Sequence, residues 1–143
     1  MRPTVIEKSF ESNGHTCLVT FSEVTWCRCG YVLVENSSIL FGRRYDEVRG
    51  VTPHGGLTFS DYIDFGGSRK WALGFDCAHY GDEPDVESGE LLLDDAPPEV
   101  WAAFPKMTFW GDSAHVWTLD DVVSELEEMS AQMARIEGAT CKG

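Results

Sequence analysis

Seven apolar side chains, Leu119, Val122, Val123, Leu126, Met129, Met133 and Ile136, recur at helical spacing near the C-terminal end of a chain that otherwise reads as short strands. One stripe on one long helix must find an apolar surface to cover, and only a sheet built by the preceding residues can supply it. Thr118 suits the N-cap, Asp120 and Asp121 fall in the first turn where the helix dipole favours anions, and Trp117 is placed to staple onto Val122. Gly138 reads as the stop, so the helix is expected over about 119–137. Its methionines read as core filler.

The strands follow from period-two alternation. Residues 4–10 and 15–22 flank Ser12-Asn13-Gly14, a hairpin signal, and Cys17, Val19 and Phe21 alternate with polar neighbours. A third strand is expected over Trp26 to Glu35, with Cys27, Cys29, Tyr31 and Leu33 on one face. Ile39 to Val48 fits either a helical turn or a loop, and a short strand is expected around Arg49–Thr52. Leu57 to Phe65 alternates again, Gly66-Gly67-Ser68 turns, and Trp71, Leu73 and Phe75 form one face of the next strand. Residues 81–99 read as an acidic, Pro-rich loop and Glu99–Phe104 as a helical turn. The expected fold is α+β: a curved antiparallel sheet with one long C-terminal amphipathic helix packed across it. The 143 residues suit a single domain, 1–143, carrying an acidic insertion at about 82–99.

Charge divides the chain. Residues 1–71 carry eight acids and eight bases, whereas residues 72–143 carry sixteen acids and three bases, so the net charge of −13 lies in the second half. That field argues against DNA or RNA as a partner. It reads either as a solubilising surface or as a surface that docks on a basic protein. No apolar run is long enough for a membrane span, and the N-terminus turns acidic before a signal core develops. Five cysteines without paired spacing fit reduced thiols, and a cytoplasmic setting is expected. Cys27-Arg28-Cys29 resembles half a zinc site, but no second pair follows.

Chemistry concentrates in two segments. His54-Gly55-Gly56 combines a versatile side chain with glycines whose backbone N–H groups can approach a ligand. Trp71 to Asp82 ends an apolar strand on Asp76, Cys77, His79, Tyr80 and Asp82. His54, Asp76, His79 and Asp82 have the donor types for a divalent metal, or for catalysis through an Asp–His couple. The same groups read ring edges and hydroxyls of a nucleotide-like ligand, with Trp71 or Tyr80 stacking on its base. A plain polar loop network is the alternative to all three. Cys77 reads as a buried, unreactive thiol. Arg43, Arg44, Arg49, Arg69 and Lys70 flank these segments. Arg43, Arg44 and Arg69 suit phosphate contacts, and ion pairing with the acidic loop is the competing use.

Cys29-Gly30-Tyr31-Val32, Leu40-Phe41-Gly42 with Tyr45-Asp46, His54-Gly55-Gly56-Leu57-Thr58 and Trp71 through Asp82 together resemble a family of small proteins abundant in bacteriophages and prophages. The likeness covers roughly residues 26–82 and the C-terminal helix. It implies a phage-type accessory protein acting in the cytoplasm of a bacterial host, countering defence by sequestering a nucleotide signal or blocking an effector. Binding of a small nucleotide-derived ligand without turnover, and with no cofactor, is the leading expectation. A metal-dependent phosphoester hydrolase using His54, Asp76, His79 and Asp82, and an acidic interaction protein or nucleic-acid mimic that inhibits a basic host defence protein, are the alternatives. Oligomerisation is left open.

Overall fold

The computed structural model describes residues 5–22, 26–77, 82–83, 85 and 115–141, with 82, 83, 115 and 139–141 as backbone alone. Five strands form one antiparallel sheet: β1 (Val5–Ser12), β2 (His15–Phe21), β3 (Arg28–Val34), β4 (Phe59–Phe65) and β5 (Ser68–Asp76). Their spatial order is β1-β2-β3-β5-β4. Two-residue strands β6 (Asp82–Glu83) and β7 (His115–Val116) pair in parallel, and α1 (Leu119–Cys141) follows. The α+β architecture, a curved antiparallel sheet crossed by a C-terminal helix, is the one the alternation and the stripe required. Among the described residues no helix is long and apolar enough to cross a membrane.

Turn chemistry sets the hairpins. Asn13 and Gly14 have φ of 52° and 80°, and Gly66 and Gly67 have 62° and 82°. Two successive positive φ values define the turn whose twist matches the flanking strands. The Asn13 side-chain amide also donates to the Glu127 carbonyl and to Ser130, docking the first hairpin on α1.

The sheet has two unlike faces. Cys17, Val19, Val32, Val34, Leu73 and Phe75 pack with Val122, Leu126, Met129 and Met133 of α1 in the main core. Gly30 lies between them. A Cβ there would come within 2.6 Å of the Phe75 ring and 3.0 Å of Leu126, so the helix approaches this closely only over a bare backbone. Residues 35–58 cross over this face to reach β4, contributing Leu40 and Val51 to the core, with Phe41 and Val48 packed against it. Cys29, Tyr31 and Leu33 share the opposite face, with Leu18, Ala72, Phe59 and Ile63.

Thr118 caps α1. The Asp121 N–H donates to Thr118 Oγ1 at 3.2 Å and the Thr118 N–H donates to Asp121 Oδ2 at 3.1 Å, a reciprocal capping box. Trp117 packs against the cluster that contains Val122. Three expectations are corrected. Gly138 does not end the helix, which continues to Cys141; one glycine costs only about 1 kcal/mol in a helix interior. Residues 49–52 form no strand: the Thr52 N–H donates to Gln132 Oε1 and Gln132 Nε2 donates back to Thr52 Oγ1, so α1 and not a neighbouring strand satisfies this backbone. Leu57 and Thr58 precede β4, and β5 begins at Ser68, three residues ahead of Trp71. Residues 39–48 are turns, resolving that ambiguity towards a loop. The expected turn at 99–104 lies outside the described residues, as does most of 81–99.

Two polar groups penetrate the core side. Arg28 is 2% exposed and pairs bidentately with Glu7, at 2.6 and 3.0 Å, and with Asp85 at 2.6 Å. It also donates to the Trp117 carbonyl at 2.9 Å and lies over the Phe21 ring. Burial pushes this guanidinium's pKa down, but its bonds with Glu7 and Asp85 more than offset that and hold it above the ordinary value. The register of β1 shifts between Ile6 and Lys8, a bulge that accompanies the inward turn of Glu7. Buried His15 faces the Leu33 carbonyl through Nδ1 and the Glu137 carboxylate through Nε2, and Ser38 Oγ donates to the other Glu137 oxygen.

Two substitutions check this packing. Leu126→Asp is expected to destabilise the fold by about 3–5 kcal/mol, since it buries an unpaired carboxylate under the sheet. Arg28→Ala is expected to lose a similar amount, about 3–5 kcal/mol, by stranding Glu7 and Asp85. Urea unfolding followed by circular dichroism measures both; parent-like midpoints would contradict the assigned core.

Candidate functional site

The end of β5 is where polar side chains gather. Cross-strand register puts Thr20 of β2 opposite Cys29 of β3, and Cys29 opposite Asp76 of β5, in one row across the outer face. Tyr31 stands two residues along β3 on the same face. Its ring lies over Gly74: a Cβ there would fall 2.5 Å from Tyr31 Cδ1 and 2.8 Å from the Gly30 carbonyl oxygen. Phe59 meets the same ring edge-on at 5.1 Å, so the two aromatics make an apolar wall beside the polar row. Thr58 donates its hydroxyl to Asp76 Oδ2 at 3.2 Å, and its N–H bonds the Gly74 carbonyl at 2.9 Å. The segment His54-Gly55-Gly56-Leu57-Thr58 is thereby joined to the tip of β5.

Ionisation is suppressed here. Burial, above all, raises the Cys29 thiol pKa, with the Asp76 charge adding to the rise and a hydrogen bond from Tyr31 opposing it. The Tyr31 phenol is raised as well, chiefly by burial and then by Cys29. Both groups are therefore neutral at physiological pH, a donor–acceptor pair and not a thiolate or phenolate. Thr20 is 7% exposed, and hydrogen bonds with its side chain oppose the rise at both groups.

The glycine turn is a separate part of the site's surroundings. Gly55 and Gly56 have φ of 70° and 82°, and the Gly56 N–H closes a turn onto the Pro53 carbonyl at 2.7 Å. A side chain on Gly56 would meet open space, so its positive φ, and not crowding, requires glycine there. His54 stacks on Trp117 with ring centroids 4.0 Å apart, fastening this turn to the start of α1.

Other expected site residues lie elsewhere. Trp71 is five residues from Asp76 on β5, roughly 17 Å away by strand rise, and on the opposite face. There Trp71 Nε1 donates to the Arg43 carbonyl, Phe41 and Tyr62 pack on its ring, and Arg69 lies over Tyr62. Arg44 pairs with Asp46. Arg69 thus sits with Tyr62, Trp71 and Phe41 at the far end of the strand, while the Arg43 guanidinium bonds the Ile39 carbonyl and Arg44 bonds Asp46, and none of these described contacts joins the Asp76 group. Among the described residues, Arg28 pairs with the acidic segment through Asp85. His79 and Tyr80 lie outside the described residues, as does the Asp82 side chain.

Cys77 is 1% exposed, as its apolar setting implied. Among the described residues no three His, Cys, Asp or Glu side chains gather as a metal-binding group would. Thr20, Cys29, Tyr31 and Thr58 were not singled out as site residues, although Cys29 and Tyr31 were placed on one face. Their convergence on Asp76 depends on cross-strand register, which a single strand's alternation does not reveal. Comparison with protein-family models, with curated proteins and with solved structures finds no match.

Buried acids of high pKa give a pH signature. Cys17 is pushed up to about 12 by burial in the main core. Below the ordinary thiol pKa of 9.0 that contribution to stability is fully present; above it the unfolded chain loses its proton first, and stability falls until the folded thiol titrates. The loss is expected between pH 9 and pH 12, at up to about 1.4 kcal/mol per pH unit for each such group. Denaturation midpoints should fall more gently with pH in Cys17→Ala, and an unchanged slope would contradict the assignment.

Proposed function

We propose that this chain is a phage-type accessory protein that binds a small nucleotide-derived ligand at the Asp76 end of β5 and retains it without turnover. The observation that carries the binding half is the row Thr20–Cys29–Asp76, flanked by Thr58 and by the Tyr31–Phe59 wall. One carboxylate, hydroxyl and thiol groups, and an aromatic surface are the groups that read hydroxyls and ring edges. The absence of turnover is supported by the raised pKa values of Cys29 and Tyr31, which leave neither as an anionic nucleophile at neutral pH. The counter-defence role, and with it action in a bacterial host's cytoplasm, is supported by the resemblance of residues 26–82.

Calorimetry and thermal shift against cyclic dinucleotides, cyclic ADP-ribose isomers and NAD test the reading. A ligand at a hundred times its Kd is expected to add about 2.7 kcal/mol of stability, and heating should return it intact. Asp76→Ala should weaken binding by about ten-fold or more, the worth of a charge-assisted hydrogen bond. Neutralising acids between Asp82 and Glu99 should leave affinity unchanged. Silence across the panel, or a degraded ligand, would refute binding without turnover; loss of function on neutralising the acids would favour a basic host protein as the partner.

A further inference from the structure

Away from the Asp76 row, the crossover and α1 bound a cleft of about 230 Å3 that opens to solvent. Buried Leu40 and half-buried Val48 and Ile136 belong to the main core and line its floor, while exposed Ile39 lines its mouth. Gly50 brings the crossover this near to the helix. Its φ is 83°, and a Cβ there would lie 3.7 Å from Ile136 Cδ1.

The charged side chains that line the cleft, Arg43, Arg49 and Glu47, are all exposed. Arg43 Nε donates to the Ile39 carbonyl at 3.4 Å, a long bond that keeps the guanidinium beside the mouth. Among the described residues neither guanidinium forms an ion pair with Glu47. Two cations therefore stand against one anion at the rim of an apolar floor. That combination complements a ligand carrying one negative charge on an apolar body. A neutral ligand would leave the guanidiniums unused, and a cation would be repelled. The planar guanidinium fork matches a carboxylate in particular. Size limits the body: a cavity of about 150 Å3 accepts benzene, so this cleft suits a chain or ring of about eight carbons.

We propose that this cleft is a second ligand site, independent of the Asp76 row, and that it takes a small organic acid. The apolar body lies on Leu40, Val48 and Ile136, and the carboxylate meets Arg43 and Arg49. A bound acid thereby ties the crossover to α1.

Calorimetry on the full chain with octanoate, octanol and octylammonium tests this. Octanoate should bind tightest, octanol about ten-fold more weakly and octylammonium weakest. Replacing both arginines, Arg43→Gln with Arg49→Gln, should weaken octanoate by about ten-fold and leave octanol unchanged. Glu47→Gln should strengthen octanoate, because it removes the opposing charge. These positions are exposed, so the variants should keep the parent's circular dichroism spectrum. Ile39→Asp should weaken octanoate and octanol alike. Octanol bound as tightly as octanoate, or parent-like octanoate affinity in the double-arginine variant, would overturn the proposal. So would octanoate that does not bind, or that binds Ile39→Asp as it binds the parent.

Discussion

A buried guanidinium holds four separated parts of this chain in register. Arg28 begins β3, and its bonds reach the bulged edge strand through Glu7, the acidic segment through Asp85, and the entry to α1 through the Trp117 carbonyl. Removing such a group from water is expensive, and its bonds to two carboxylates and one carbonyl satisfy most of its five donors. The surroundings reinforce the arrangement: the Asp85 N–H donates to the Trp26 carbonyl, and the Cys77 N–H donates to the carbonyl of Arg28 itself. Trp26 is held at φ 55°, an uncommon conformation for a bulky residue, and lies 6.4 Å from the Phe21 ring. The tip of β5, from which Asp76 projects, is thus anchored through its next residue to the same point that anchors the helix.

Two glycines on neighbouring strands divide the labour between the sheet's faces. Gly30 leaves room for Phe75 beneath Leu126, and Gly74 leaves room for Tyr31 on the other side. One permits a dense core; the other lays an aromatic ring flat against the backbone beside the polar row. The helix reaches β1, β2 and β3, while the crossover 35–58 supplies Leu40 and Val51 to the same core. That division leaves the outer face half-buried, lined by Tyr31, Phe59, Ile63 and Phe65 around Leu18, Leu33 and Ala72.

Elements governed by local rules were legible in the sequence. Asn13-Gly14 specifies its turn, Thr118 with Asp121 specifies the helix start, and the stripe from Leu119 to Ile136 specifies the buried side. Gly138 misled because a glycine near a helix end resembles a stop, whereas propagation there costs little. Arg28 and His15 did carry a signal: each falls on the core-facing parity of a strand, Arg28 with Gly30, Val32 and Val34, and His15 with Cys17, Val19 and Phe21. A charged or titratable residue at such a position demands a buried partner, but sequence does not say which. The candidate site was legible only at Asp76 and in the approach of the 54–58 segment. Arg69 and Trp71 are close to Asp76 in sequence and far from it in space, because a strand carries its ends apart.

The helix that completes the core lies after every strand it covers. Ser130 and Gln132 bond partners near residues 12 and 52, and Glu137 bonds His15, separations of 80 to 122 residues. Few local contacts can therefore stand in for it. On a ribosome the apolar side of β1, β2 and β3 is made first and stays uncovered until α1 has emerged, a period in which bare sheet invites association with other chains. The acidic character of the second half then acquires a kinetic meaning: nascent copies repel one another during the interval when their exposed surfaces would most readily adhere.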